Sequence, residues 1–178
     1  PPVLSSAASD VYKRQLRAGC SMADMANLAD VTRCWNEILE NTDLEDPINR
    51  EDPDLPAPKN ENYLIPVTYM NSSAALKSFV GEHGGIVCTS SNAEGILNWA
   101  FERAGKNGKV LFFPDQHLGR NTGLAMGIPI EQMTTWTPGE KKNKQDWVHI
   151  NDSKLILCHG FWSVHKRFTV EQLAEFRN

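Results

Sequence analysis

The chain has 178 residues, 40% of them hydrophobic and 22% charged, with a formal net charge of −4. That composition suits a globular protein with one good core, a full domain plus part of another. The acidic balance excludes a general binder of nucleic-acid backbones, whose footprint is basic, and no apolar run approaches the roughly 20 residues that cross a bilayer. With no secretory signal in view, the expected compartment is the cytoplasm.

Residues 1–15 (PPVLSSAASDVYKRQ) carry no periodicity, and SSAASDVYKRQ resembles translated read-through of a sequencing adapter. The segment is set aside as a non-native tail, with the natural start expected upstream. Residues 16–61 read as the end of a first domain followed by a loop. Met22 to Asn41 has apolar residues at helical spacing, with Ser21 and Asp24 as an N-terminal capping pattern. From Thr42 to Asn62 the chain is acidic and carries four prolines, which predicts a solvated loop and an insertion.

Residues 62–165 alternate between strand-like and helix-like segments. Strands are predicted at Tyr63–Tyr69, Ile86–Cys88, Lys109–Phe113, Met133–Trp136 and Lys154–Cys158, and helices at Ser73–Glu82, Ala93–Ala104 and Leu118–Met126, the last ended by Gly127. Pro66 would make the first strand irregular. The polar stretch with GEKKNK reads as a loop, and residues 166–178 begin a further helix from Thr169. The alternation predicts a three-layer αβα sandwich with a mostly parallel sheet. Ligands of such sheets bind at the carboxyl ends of the strands.

The polar clusters fall at those ends: YMNSS from Tyr69, CTSSNA from Cys88, PDQHLGRN from Pro114 and GFWSVH from Gly160. The first two place hydroxyls and amides just before a helix, where unpaired N–H groups favour phosphate or carboxylate. Capping and turn-making by Ser, Thr and Asn explain the same residues, so on the residues alone the two readings stand level. The four cysteines, Cys20, Cys34, Cys88 and Cys158, form no CxxC pair, and in a reducing compartment they are expected as thiols.

Five stretches together resemble quinolinate synthases: RAGCSMADMA from Arg17, VTYMNSSA from Val67, VCTSSNA from Val87, FPDQHLGRN from Phe113 and SVHKRF from Ser163. The resemblance covers residues 16–178 apart from the loop at 42–62. It implies one of three αβα domains arranged about a pseudo-threefold axis, each giving one cysteine to a shared 4Fe-4S cluster. It implies condensation of iminoaspartate with dihydroxyacetone phosphate to quinolinate, in NAD biosynthesis and coupled in function to L-aspartate oxidase. The cluster's iron without a protein ligand would act as a Lewis acid. Carried onto this sequence, Cys20 is a cluster ligand, Tyr69 and Asn71 are catalytic and substrate-binding, and Ser90 anchors phosphate or carboxylate. His165 takes a supporting role; Asp115, His117 and Arg120 are read as structural, and Cys34 and Cys88 as core.

The pattern breaks where the family has W-x-G-x-C-x-V-H. This chain reads CHGFWSVH from Cys158 to His165, with cysteine and tryptophan exchanged. Indole does not bind iron, and Cys158 precedes Trp162 by four residues, about 13 Å along an extended chain. The expectation is a chain that cannot assemble a normal cluster. Family members also continue into a third domain, so this portion alone is expected to be inactive. The competing reading is a non-catalytic α/β module that binds a small phosphorylated or dicarboxylate ligand.

Overall fold

A computed structural model describes residues 26–49 and 61–159. Cys20, Trp162, His165 and the segments 1–15 and 166–178 lie outside the described residues, as do Ser21, Met22 and Asp24. The first described helix, α1, is Leu28–Asn41, capped by Asn27, whose side chain accepts from the Asp30 N–H at 2.8 Å. Asn27 is extended (φ −89°, ψ 158°), so a single helix does not run through from Met22 as the spacing suggested. Val31, Cys34, Trp35 and Ile38 form its buried stripe, at the i, i+3, i+4, i+7 spacing that gives a helix one apolar face.

Five strands follow: β1 (Leu64–Tyr69), β2 (Ile86–Cys88), β3 (Lys109–Phe113), β4 (Met133–Trp136) and β5 (Leu155–Cys158). They form one sheet in the order β2-β1-β3-β5-β4, every pair parallel. The connecting helices are α2 (Ala74–Glu82), α3 (Ala93–Ala104), α4 (Gln116–Ala125) and α5 (Lys144–Asp152). Side chains alternate across the sheet. Leu64, Leu111, Phe113, Ile156 and Cys158 meet α1, α2 and α5, while Ile65, Val67, Val110, Phe112, Leu155 and Leu157 meet α3. Strands covered on both faces are mostly apolar, which is why β3 after Lys109, and all of β5, read as apolar runs. The chain steps outward from β1 to β2 past α2, returns across β1 past α3 on the opposite face, and turns back from β4 to β5 past α5. The helix face changes at each reversal, as crossovers of one hand require.

Pro66 leaves β1 regular. Met70 donates its N–H to Cys88 O at 2.8 Å, and stepping back in register puts the Pro66 nitrogen opposite Gly84, before β2 begins. The missing donor falls where there is no ladder to break. Gly85 is needed at that approach, since a Cβ there would sit 2.0 Å from Pro66 O.

Three further expectations change. The stretch after β4 is not simply a loop: residues 144–152 form α5, started by a capping box in which Asn143 and Asp146 satisfy each other's backbone N–H groups. Helix α4 begins two residues before Leu118, because the Asp115 carboxylate accepts from His117 N and Leu118 N; Gly127 follows it at φ +81°. Residues 42–48 are anchored at a few side chains rather than wholly solvated. Leu44 is buried, and Asp46 Oδ2 accepts from Trp35 Nε1 at 3.2 Å and lies 2.7 Å from His83 Nδ1, joining α1 to the end of α2.

Helix α4 rides close to the sheet on two glycines one turn apart. A Cβ on Gly119 would lie 2.6 Å from Leu157 Cδ2 and 2.7 Å from Phe112 Cδ1, whereas one on Gly95 in α3 meets nothing within 4 Å. Gly119→Ala is therefore expected to cost about 1–3 kcal/mol through overpacking, and Gly95→Ala to add about 0.5–1 kcal/mol through helix propensity. Urea denaturation of the two variants checks both signs; equal midpoints would contradict this packing.

Candidate functional site

The site is built from the carboxyl ends of β1 and β2. Their parallel register pairs Tyr69 with Cys88, and the Met70–Cys88 hydrogen bond extends that pairing one residue past β1. Asn71 and Ser90 each stand two residues beyond the Tyr69–Cys88 pair. Adjacent strands lie about 4.8 Å apart, so the two loops leave the sheet side by side. Tyr69 and Asn71 are half-buried and Ser90 is exposed. Tyr69 packs against the core on the α3 face, which leaves its position fixed by the sheet rather than by the loop.

Each loop is shaped by its own polar residues. In the first, Ser73 caps α2, accepting from Leu76 N at 3.3 Å, and Ser72 is buried with a hydroxyl that has no hydrogen-bond partner among the described residues. In the second, Asn92 Oδ1 accepts from both Thr89 N (2.6 Å) and Thr89 Oγ1 (2.9 Å), and Thr89 Oγ1 lies 3.0 Å from Ser91 Oγ. Asn92 occupies the N-cap position of α3 but makes no side-chain cap bond, because its acceptor is turned back to Thr89. Ser90 takes no part in these bonds.

The third motif is tied to its own helix and to β4. Asp115 caps α4, and Arg120 Nη2 donates to Thr135 Oγ1 at 3.0 Å and Gln116 Oε1 at 3.4 Å, which accords with a structural reading of that pair. A separate cavity of about 430 Å³ opens between α1 and the loop before α5, lined by Arg33, Glu37, Lys141, Lys142 and Trp147 among others; Tyr69, Asn71 and Ser90 are not in its wall.

All three described cysteines are free thiols and buried. Cys34 and Cys158 share the core on the α1 face, whereas Cys88 belongs to the core on the α3 face. Burial, and after it the hydrogen bond to Cys158, hold the Cys34 thiol well above the ordinary range. The Cys158 thiol is thus taken up in the core at the end of β5. Among the described residues no group of three His, Cys, Asp or Glu side chains could hold a metal ion.

Compared with known proteins, residues 2–178 match the family model described as Quinolinate synthetase A protein. The chain belongs to the quinolinate synthase family. It is 52% identical over 175 residues to the quinolinate synthase of Corynebacterium glutamicum, covering 98% of this chain and 39% of that protein. It is 46% identical over 173 residues to that of Rhodopirellula baltica (94% and 38%), and 41% identical over 162 residues to that of Bacillus velezensis (91% and 38%). The chain therefore spans about two-fifths of the length of these curated relatives. No solved structure matches it. Among the described residues no helix is long and apolar enough to cross a membrane.

The sequence reading named Tyr69, Asn71 and Ser90, and the sheet brings their loops to one edge. It missed the Thr89–Asn92 bonds, although Thr-x-x-Asn before a helix is a visible signal. It also missed Lys109, a buried cation at the start of β3 that donates to Asn151 O (2.7 Å) and Ser153 O (2.6 Å), holding the end of α5.

The buried thiol beneath the site has a consequence for stability. Burial pushes Cys88 from 9.0 up to about 12. The unfolded thiol ionises first, so this contribution is complete below pH 9.0 and is lost as pH climbs from there towards about 12. Lys109 acts in the opposite sense: burial lowers it from 10.5, so its charging cost eases as pH rises through its lowered value. Replacing Cys88 by Ala should remove roughly 1 kcal/mol of the stability loss across the first pH unit above the normal thiol value. Urea melts of both proteins through that unit check it; parallel slopes would contradict the assignment.

Proposed function

We propose that this chain is the middle part of a quinolinate synthase and supplies one wall of its substrate site. The complete enzyme would join iminoaspartate to dihydroxyacetone phosphate, releasing phosphate and two waters to give quinolinate for NAD biosynthesis. The observation that carries the reading is the pairing of Tyr69 with Cys88, two residues short of Asn71 and Ser90 on neighbouring strands. In this role the Tyr69 phenol transfers a proton to, or polarises, a substrate carbonyl. Asn71 hydrogen-bonds the substrate, and Ser90 donates to a phosphate or carboxylate oxygen. A phenol is suited to such work because it both donates and accepts.

The family's 4Fe-4S cluster would supply Lewis-acid chemistry when bound. The described residues do not form a site for it: Cys34 and Cys158 lie on one face of the sheet, and Cys88 lies on the other. Cys20 is the ligand the family pattern assigns to this chain, and the second ligand position holds Trp162. In this reading the third ligand comes from the rest of the complete enzyme. The Trp162 exchange is also the one feature that favours a second reading, a module that binds an anionic ligand without turnover.

Grafting residues 16–178 in place of the matching segment of the Corynebacterium glutamicum enzyme separates the two. With Trp162 retained, anaerobic reconstitution should give neither a full iron complement nor quinolinate, and Trp162→Cys should restore both. A full cluster in the Trp162 graft would overturn the ligand assignment. A cluster-loaded Trp162→Cys graft that makes no quinolinate, yet binds dihydroxyacetone phosphate, would establish the binding module instead.

A further inference from the structure

The loop after β2 contains four consecutive polar residues, Thr89 to Asn92, and they are not equivalent. Three are bound to one another: Asn92 Oδ1 accepts from the Thr89 amide at 2.6 Å and from the Thr89 hydroxyl at 2.9 Å, and that hydroxyl lies 3.0 Å from Ser91 Oγ. Ser90, exposed like Ser91 and Asn92, stands outside this network. A four-residue turn without such bonds would sample several conformations, and each fixed residue costs about 1–2 kcal/mol of conformational entropy. Two acceptor bonds converging on one amide oxygen hold the turn before any ligand arrives. Asn92 is also the residue that would ordinarily cap α3 with its side chain, and it makes no such bond. Its side chain shapes the loop and leaves the helix start uncapped.

We propose that Asn92, acting through Thr89, is a positioning residue that holds the Ser90 hydroxyl outward for the anionic group of the substrate. This inference rests on the reading of Ser90 as a substrate contact, and it adds the residues that place it. Neither Asn92 nor Thr89 needs to touch substrate. Their contribution is preorganisation, so its loss should appear in substrate binding more than in turnover.

The test has two arms. In the 178-residue chain, Asn92→Ala should speed hydrogen exchange at the Thr89 amide by about tenfold or more, with the melting temperature of the chain little changed. Exchange unchanged from the parent would overturn the proposal directly. In the Corynebacterium glutamicum enzyme carrying residues 26–159 of this chain, Asn92→Ala and Thr89→Val should raise KM for dihydroxyacetone phosphate roughly five- to tenfold, with kcat within about twofold. Thr89→Ser, which keeps the hydroxyl, should restore the parent KM. A merely structural role would lower kcat and stability together and would not split in this way. Ser90→Ala keeps the two readings apart. If it raises KM while Asn92→Ala does not, the positioning role fails and Ser90 stands. If Ser90→Ala leaves KM unchanged, the substrate contact fails and the positioning role falls with it.

Discussion

The structure depends on a parallel sheet whose central strands are covered on both faces. A parallel pair cannot be joined by a tight turn, so each connection must be a helix crossing back over the sheet. All strand ends of one polarity therefore collect at one edge, together with the starts of the helices that follow them. Placing β1 next to β2 sets YMNSS beside CTSSNA with no further requirement on either loop. A one-residue slip of β2 would turn Cys88, buried in the core on the α3 face, to the other side of the sheet. The site inherits its spacing from the core.

How much of this could be read from the sequence varied with the physics behind each element. Strands β3 and β5 are legible because burial on both faces leaves no choice but an apolar run. Helix α3 matches its expected bounds because Leu97, Ala100 and Ala104 mark its inner face without ambiguity. Helix α5 was hidden. Only Ile150 is fully buried, its lysine-rich approach reads as solvated loop, and its start is encoded in an Asn-x-x-Asp capping pair rather than in hydrophobic period. The anchoring of residues 42–48 was hidden for a different reason. Its polarity suggested solvent, but Asp46 is polar because it serves two ring nitrogens, Trp35 Nε1 and His83 Nδ1, across a distance in sequence that no local pattern reports. Pro66 was a warning about strand pairing that turned out to fall beyond the end of the neighbouring strand.

The candidate site was legible in kind but not in arrangement. Short polar loops before helix starts identified the edge and the two motifs. Which hydroxyls in them are tied up is decided by bonds among neighbours, as in the second loop, where Thr89, Ser91 and Asn92 bond one another and Ser90 is left over. Residue types alone cannot make that distinction. The cysteines teach the same lesson. Four thiols in a sequence invite a shared metal site, yet the alternation of side chains across the sheet sends Cys88 to one core and Cys158, with Cys34, to the other. All three are buried, and burial raises the thiols of Cys34 and Cys88, which makes these inert packing residues.

The central claim is that the ends of β1 and β2 form one binding surface, and a double-mutant cycle tests it most directly. In the Corynebacterium glutamicum enzyme carrying residues 26–159 of this chain, Asn71→Ala, Ser90→Ala and the double variant would be compared by affinity for dihydroxyacetone phosphate. Two groups on one small ligand should be coupled by at least about 0.5 kcal/mol, with the double variant departing from the sum of the single ones. Strict additivity, or an affinity that neither substitution changes, would contradict the account.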